Sequence, residues 1–206
     1  MFIFRIIKCM SNLTIINNDL NIEVAIDKEG LLRESQFLNG IAIDYGDINE
    51  YNFQLDNFNS YDATGNLNKE KTKFNISMLL NSIKQFVEIQ NLIKENNESS
   101  SVPFKEDEKT GFTDATPEIF NSLNKKHIDF IQSHSLKHVL NLVHLANYLQ
   151  MDALVDLINL FIAMYIKQIL VTEGSNAPKK IRELFGIKYT FKDSEEEKRI
   201  TEENNW

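Results

Sequence analysis

The chain has 206 residues, 42% of them hydrophobic and 25% charged, enough apolar material to bury a core of ordinary size. Its 22 Lys and Arg against 30 Asp and Glu leave a net charge of -8, which argues against a nucleic-acid groove or an anionic membrane surface, since both need clustered cations. A single cysteine, Cys9, excludes an intramolecular disulfide and a thiolate metal cluster, and suits a reducing compartment, cytosol or nucleus.

The opening "MFIFRIIKC" is apolar but broken by Arg5, too short for a signal-peptide core, and followed by no small-residue cleavage site. Met10 follows at once, so residues 1–9 are expected to be a dispensable leader or a mis-assigned start. From Leu13 the pattern turns regular. Leu13 and Ile15 alternate with polar residues, Asn17-Asn18-Asp19 supplies turn chemistry, and Leu20, Ile22, Val24 and Ile26 alternate again. Period-two alternation on both sides of such a turn predicts a half-buried β-hairpin. Asp27 is placed to cap a short helix running through Leu32 and Phe37, and "IAIDY" and "YNFQL" are strand candidates.

Residues 60–73 are polar and without periodicity, which predicts a loop insertion. A helix follows, with Ile76, Leu79, Leu80, Ile83 and Val87 on one stripe. The charged, serine-rich stretch at 94–116 reads as a second polar insertion. From Thr116 onward the pattern is helical, with Thr116 as a cap and Pro117 just inside. Leu136, Val139, Leu140, Val143 and Ala146 form one stripe, and Leu142, Leu145 and Leu149 a second, so this helix must be covered on more than one side.

Asp152 is the expected cap of the next helix, whose Leu154, Leu157, Ile158, Phe161 and Ile162 continue the core. The run Leu157 to Val171 is shorter than the roughly 20 apolar residues of a membrane span and reads as a core helix. Asn176-Ala177-Pro178 opens a short helix with Ile181, Leu184 and Phe185 on its apolar face, closed by Gly186. Ser194 and Glu197 make a capping box for a charged last helix ending at Trp206. Both helices are too short and polar to form a core of their own, so Ile181, Phe185, Ile187, Phe191 and Trp206 pack on the rest of the chain or on a partner.

Catalytic signals are sparse. All four histidines lie between His127 and His144, and His134 and His138 share a helix face at zinc-ligand spacing. No Glu stands between them and no third ligand is suitably spaced, so they read as surface or partly buried histidines. There is no glycine-rich phosphate loop and no Gly-x-Ser-x-Gly, and "KEDEK" and "SEEEKR" read as solvated faces. Nothing in the residues themselves points to an enzyme or a cofactor.

Three motifs in order then carry a resemblance across His127 to Trp206: "NLVHLANYLQMDALVDL", "PKKIRELFGI" and "FKDSEEEKRITEENNW". Together they resemble the S-phase-kinase-associated adaptor family of SCF ubiquitin ligases, which has a BTB/POZ fold. The hairpin, short helix and helix at 76–93 follow the POZ order in outline. His127 departs from the pattern, standing where the family has a tryptophan.

The resemblance implies an α+β chain with a BTB/POZ-like domain at 10–171 and a C-terminal helical extension at 172–206. It implies a non-catalytic adaptor in cytoplasm and nucleus, without cofactor, metal, nucleic acid or membrane. A cullin would bind at Asn147 and Tyr148, and F-box proteins at Ile181, Phe185, Ile187, Glu203, Asn204 and Trp206. Pro178 matches a proline that some members hydroxylate and glycosylate; its plain reading is a first-turn proline. The alternatives are an elongin-C-like adaptor, which the C-terminal helices disfavour, and a POZ-fold assembly protein without ligase role, such as a weak homodimer or a kinetochore-type subunit. A histidine metal site with enzymatic activity is the last.

Overall fold

The computed structural model describes residues 12–17, 19–52, 58–62, 64–96, 98, 123–187 and 199. The hairpin forms as its alternation requires. Strands β1 (Asn12–Asn17) and β2 (Ile22–Asp27) pair antiparallel with Ile15 opposite Val24. Leu13, Ile15, Ile22, Val24 and Ile26 all face the core. The Asn17 side-chain oxygen accepts the Leu20 N–H at 3.0 Å and Asn21 takes a positive φ of 51°, the turn chemistry that Asn tolerates. A short strand β3 (Glu50–Asn52) joins β1 in parallel, giving the order β2-β1-β3. Lys28, buried at the end of β2, ion-pairs with Asp47 and bonds Asn49 at 3.1 Å, fixing the loop that leads into β3.

Asp27 caps helix α1 (Lys28–Glu34), accepting the Gly30 N–H at 2.8 Å. The helix does not run on to Phe37. It stops at Ser35, and a second helix, α2 (Gln36–Tyr45), starts there with Ser35 as its cap. The reason is a competing set of hydrogen bonds. The buried Ser35 hydroxyl accepts the Leu38 N–H at 3.1 Å and donates to the Leu149 carbonyl at 2.6 Å, so its backbone must turn. "IAIDY" is accordingly helical, not a strand. Leu38 anchors that helix in the core, and three apolar positions in a row of five are too few to override the cap. The "YNFQL" strand survives as β3, with 53–57 outside the described residues.

Helix α3 (Lys69–Glu95) is longer at its start than its apolar stripe suggests. Asn68 caps it, accepting the Lys71 N–H at 3.0 Å, so 69–73 form its first turn rather than loop, solvated except for the buried Thr72. The remaining loop is held by a Tyr61–Leu67 bridge and by the Asp62 carboxylate, which gathers the N–H groups of Thr64 and Asn66. Those bonds hold the Asp62 pKa below its ordinary value. Most of 94–116, with the Thr116-Pro117 cap, lies outside the described residues, as does the capping box at Ser194.

Helices α4 (Lys125–Gln132), α5 (Leu136–Tyr148) and α6 (Asp152–Glu173) close the core. Val139, Leu142, Leu145 and Ala146 of α5 are fully buried beside Leu154, Leu157 and Ile158 of α6. Asp152 is not the cap of α6. Met151 holds that place without a side-chain bond, while Asp152 sits in the first turn and accepts the Gln36 amide at 2.6 Å. Leu154, Leu157, Ile158 and Leu160 of α6 are core, whereas from Phe161 onward the helix is half-exposed or exposed apart from the buried Ile169. The stretch Asp152–Phe185 is long and apolar enough to cross a membrane by length and composition, yet its first half is committed to this core. A 3-10 turn (Gly174–Asn176) leads into α7 (Ala177–Phe185). Among the described residues the architecture is thus α+β, a three-stranded sheet covered by helices, with a helical C-terminal region.

Two contacts make the packing testable. A Cβ on Gly30 would stand 2.6 Å from the Val87 side chain and 2.7 Å from the capping Asp27 carboxylate, so α1 lies against α3 at glycine distance. Gly30→Ala should therefore lower stability by about 1–3 kcal/mol, reversing the usual helix preference for alanine. Ser35→Ala, which strands the Leu149 carbonyl and removes the α2 cap, should also cost about 1–3 kcal/mol. Urea denaturation of both variants checks these signs.

Candidate partner-binding surfaces

Asn147 and Tyr148 end α5 and both are solvent-exposed. The chain reverses directly after them: the Gln150 N–H donates to the Asn147 carbonyl at 3.0 Å, the Met151 N–H to Ala146 at 2.9 Å, and Gln150 has a φ of 52°. Tyr148 is 43% exposed, and the rest of its ring is not idle. Phe37 of α2 lies 5.4 Å from it, tilted at 54°, and Tyr51 of β3 meets Phe37 edge-on at 5.8 Å. The two tyrosine hydroxyls bond each other. Burial first, then that bond and the Tyr148 charge, push the Tyr51 phenol up to about 12, so it stays a neutral donor. Three elements far apart in sequence thus hold one tyrosine with a fixed inner edge and an exposed outer one, the form of an amphipathic contact residue.

Neither Phe37 nor Tyr51 stood out in the sequence. Each reads there as an ordinary apolar position, and no local spacing links residues 37, 51 and 148.

Helix α7 carries the second group. Pro178 is exposed in the first turn, where its missing N–H leaves no bond unmade. Gly186 ends the helix left-handed at a φ of 66°, and the Ile187 N–H donates to the Arg182 carbonyl at 2.9 Å, as its position predicts. Ile181 and Phe185 are half-buried, whereas Leu184 is 37% and Ile187 50% exposed. The outer half of α6 bears a shallow groove of about 390 Å³ among Phe161, Met164, Tyr165 and Val171, with Gln132 of α4 on its rim. The structure places Ile181 and Phe185 on α7 and Ile187 just past its cap; Glu203, Asn204 and Trp206 lie outside the described residues.

Residues 152–206 match the Skp1 family, dimerisation domain. Over this stretch the chain is similar to the Skp1 family. SKP1-like protein 19 of Arabidopsis thaliana is 33% identical over 99 residues, 48% of this chain and 46% of the relative. SKP1-like protein 15 of the same plant is 33% identical over 78 residues, 38% of this chain and 40% of the relative. The alignments therefore span less than half the length of these curated relatives. The matched segment begins at Asp152, the first residue of α6, so it takes in the α6 wall of the groove as well as α7.

The histidines ahead of that segment have structural partners. His134 and His138 stack at 4.7 Å, with both Nε2 atoms on the Ser82 hydroxyl, at 3.0 and 2.9 Å. His134 Nδ1–H donates to the Phe130 carbonyl at 2.8 Å, and the Ser82 hydroxyl between the two Nε2 atoms also reaches the Met78 carbonyl at 3.0 Å. Among the described residues no group of three His, Cys, Asp or Glu is placed to hold a metal ion. The shared face visible in the spacing is thus occupied by a serine that no spacing signalled. Burial, then the neighbouring His134, lowers the His138 pKa.

His127 is different. It is buried, stacked on Phe86 at 6.0 Å, and its Nε2 has no hydrogen-bond partner. Burial, then the Lys126 charge, lowers its pKa. The folded state therefore takes up this proton less readily than the unfolded chain. Stability is full above the unfolded histidine pKa of about 6.5 and falls as the pH drops below it, by at most about 1.4 kcal/mol per pH unit. Denaturation between neutral pH and pH about 5 should show such a slope, and His127→Phe should reduce it, leaving the share of His138.

Proposed function

We propose that the chain is a non-catalytic adaptor of an SCF-type ubiquitin ligase, bridging a cullin to F-box substrate receptors in cytoplasm and nucleus. The observation that carries the reading is the Skp1-family match over 152–206, the segment in which α6 and α7 turn apolar side chains outward. In this reading Ile181, Phe185 and Ile187, continued by Glu203, Asn204 and Trp206, take the F-box. An apolar helix in an F-box would seat in the α6 groove and bury Phe161, Met164 and Leu184, the contact type of a helix laid into a groove. Pro178, exposed at the start of α7, is accessible to hydroxylation and would then extend this surface.

Asn147 and Tyr148 are the proposed cullin contact. The aromatic trio supports this, because a tyrosine already held by Phe37 and Tyr51 loses little conformational freedom when a partner covers it. Domain roles follow: the 10–171 domain carries the cullin contact, and 172–206, with the outer turns of α6, the F-box. The description of the matched segment as a dimerisation domain agrees with helix-mediated pairing, and self-pairing through it is the second reading.

The test is an affinity recovery from cell extract with wild type, Tyr148→Lys and a truncation before Pro178. Wild type should recover a cullin and F-box proteins. Tyr148→Lys should lose the cullin by at least about tenfold while keeping the F-box proteins, since a central interface tyrosine typically carries 2 kcal/mol or more. The truncation should show the converse. Recovery of neither partner by wild type refutes the adaptor reading and leaves the self-paired assembly protein.

A further inference from the structure

Among the described residues strand β2 is an edge of the sheet, and its pairing pattern fixes which groups are left over. The Thr14 N–H donates to Asn49 of the β3 side at 2.9 Å, so Leu13, Ile15 and Asn17 turn their backbone groups toward β2. Their partners Ile26, Val24 and Ile22 turn inward in the same way, which leaves the N–H and C=O of Glu23 and Ala25 directed outward. Beside this edge runs a groove of about 340 Å³. Its other wall is one polar stripe of α3: Lys73, Ser77, Asn81 and Lys84. Neither lysine has an ion-pair partner among the described residues, in a chain whose net charge is -8.

We infer that this groove is a strand-addition site for an extended acidic peptide of a partner protein. The peptide pairs with Glu23 and Ala25 through its backbone and sets acidic side chains against Lys73 and Lys84. Backbone pairing supplies affinity and the flanking pockets supply selectivity, as in other edge-adding complexes. Lys73 and Lys84 are about 16 Å apart along the helix axis, the reach of about five extended residues, so one short acidic segment engages both. A second copy of the chain is the poorer occupant, because antiparallel β2–β2 pairing would bring like-charged lysine stripes together. The edge is independent of the Asn147–Tyr148 and α7 surfaces, and the inference does not rest on the proposed function.

The experiment uses the full chain, labelled with 15N, titrated with the synthetic peptide acetyl-Val-Glu-Val-Asp-Val-Glu-amide and with its counterpart carrying lysine at each acidic position. The acidic peptide should bind saturably, shift the Glu23 and Ala25 amides and slow their hydrogen exchange, while the basic one should not. Lys73→Glu with Lys84→Glu should weaken binding by at least about tenfold. Ala25→Pro, which removes an outward N–H tolerably at an edge, should abolish it. Circular dichroism confirms that each variant folds.

Absence of binding, or binding insensitive to both variants, overturns the proposal. So does a concentration-dependent dimer that Ala25→Pro dissociates, which would put a second copy at the edge. A spin label at Ser194→Cys, in a Cys9→Ser background, tests the chain's own acidic end. Broadening of the Glu23 and Ala25 amides without peptide would make that end the occupant and refute a partner peptide.

Discussion

One buried hydroxyl organises the molecule. Ser35 accepts from Leu38 and donates to Leu149, so a single side chain both starts α2 and holds the end of α5, 114 residues away. Gln36 adds two bonds to the same junction, its N–H to the Gln150 carbonyl and its amide to Asp152. Buried carbonyls and N–H groups must find partners somewhere, and here those of the α5–α6 turn are satisfied by the α1–α2 break. Phe37 follows immediately on α2, which is how its ring comes to lie against Tyr148. The aromatic trio is thus a consequence of where a serine was needed.

The parts of the fold legible in the sequence are those where one burial surface imposes one period. The hairpin is sided by a sheet face, so Leu13 to Ile26 alternate cleanly. Helix α3 is buried along one stripe, so Ile76 to Val87 recur at helical spacing. The end of α7 was legible for a different reason: only a residue without a Cβ adopts the left-handed conformation of Gly186 without strain.

What stayed hidden depends on partners distant in sequence. A serine between two helical patterns reads equally as interior or cap until Leu149 is beside it. The solvated first turn of α3 has no apolar period to show, although Asn68 caps it firmly. Asp152 has the chemistry of a cap, but a side chain recruited by Gln36 is not free to fold back on its own helix. Among the candidate contacts, Asn147, Tyr148, Ile181, Phe185 and Ile187 were named from motifs. Phe37, Tyr51 and the α6 groove appear only once the chain is folded, because their grouping exists in space and not along the sequence.

Helix α6 has two lives along one axis. Its first half, Leu154 to Leu160, is locked among core side chains, while the turns beyond Phe161 stand partly in solvent. A free helix of that length would fray in water, since nucleating a turn costs more than each added bond returns. Here nucleation is already accomplished inside the core, and the outer turns are propagated from it like a beam fixed at one end. Amide protection along α6 should then decline gradually from the core outward instead of vanishing at Phe161. A ligand seated on the outer half would lengthen the fixed portion of the beam, and its arrival would be felt as slower exchange toward Gly174.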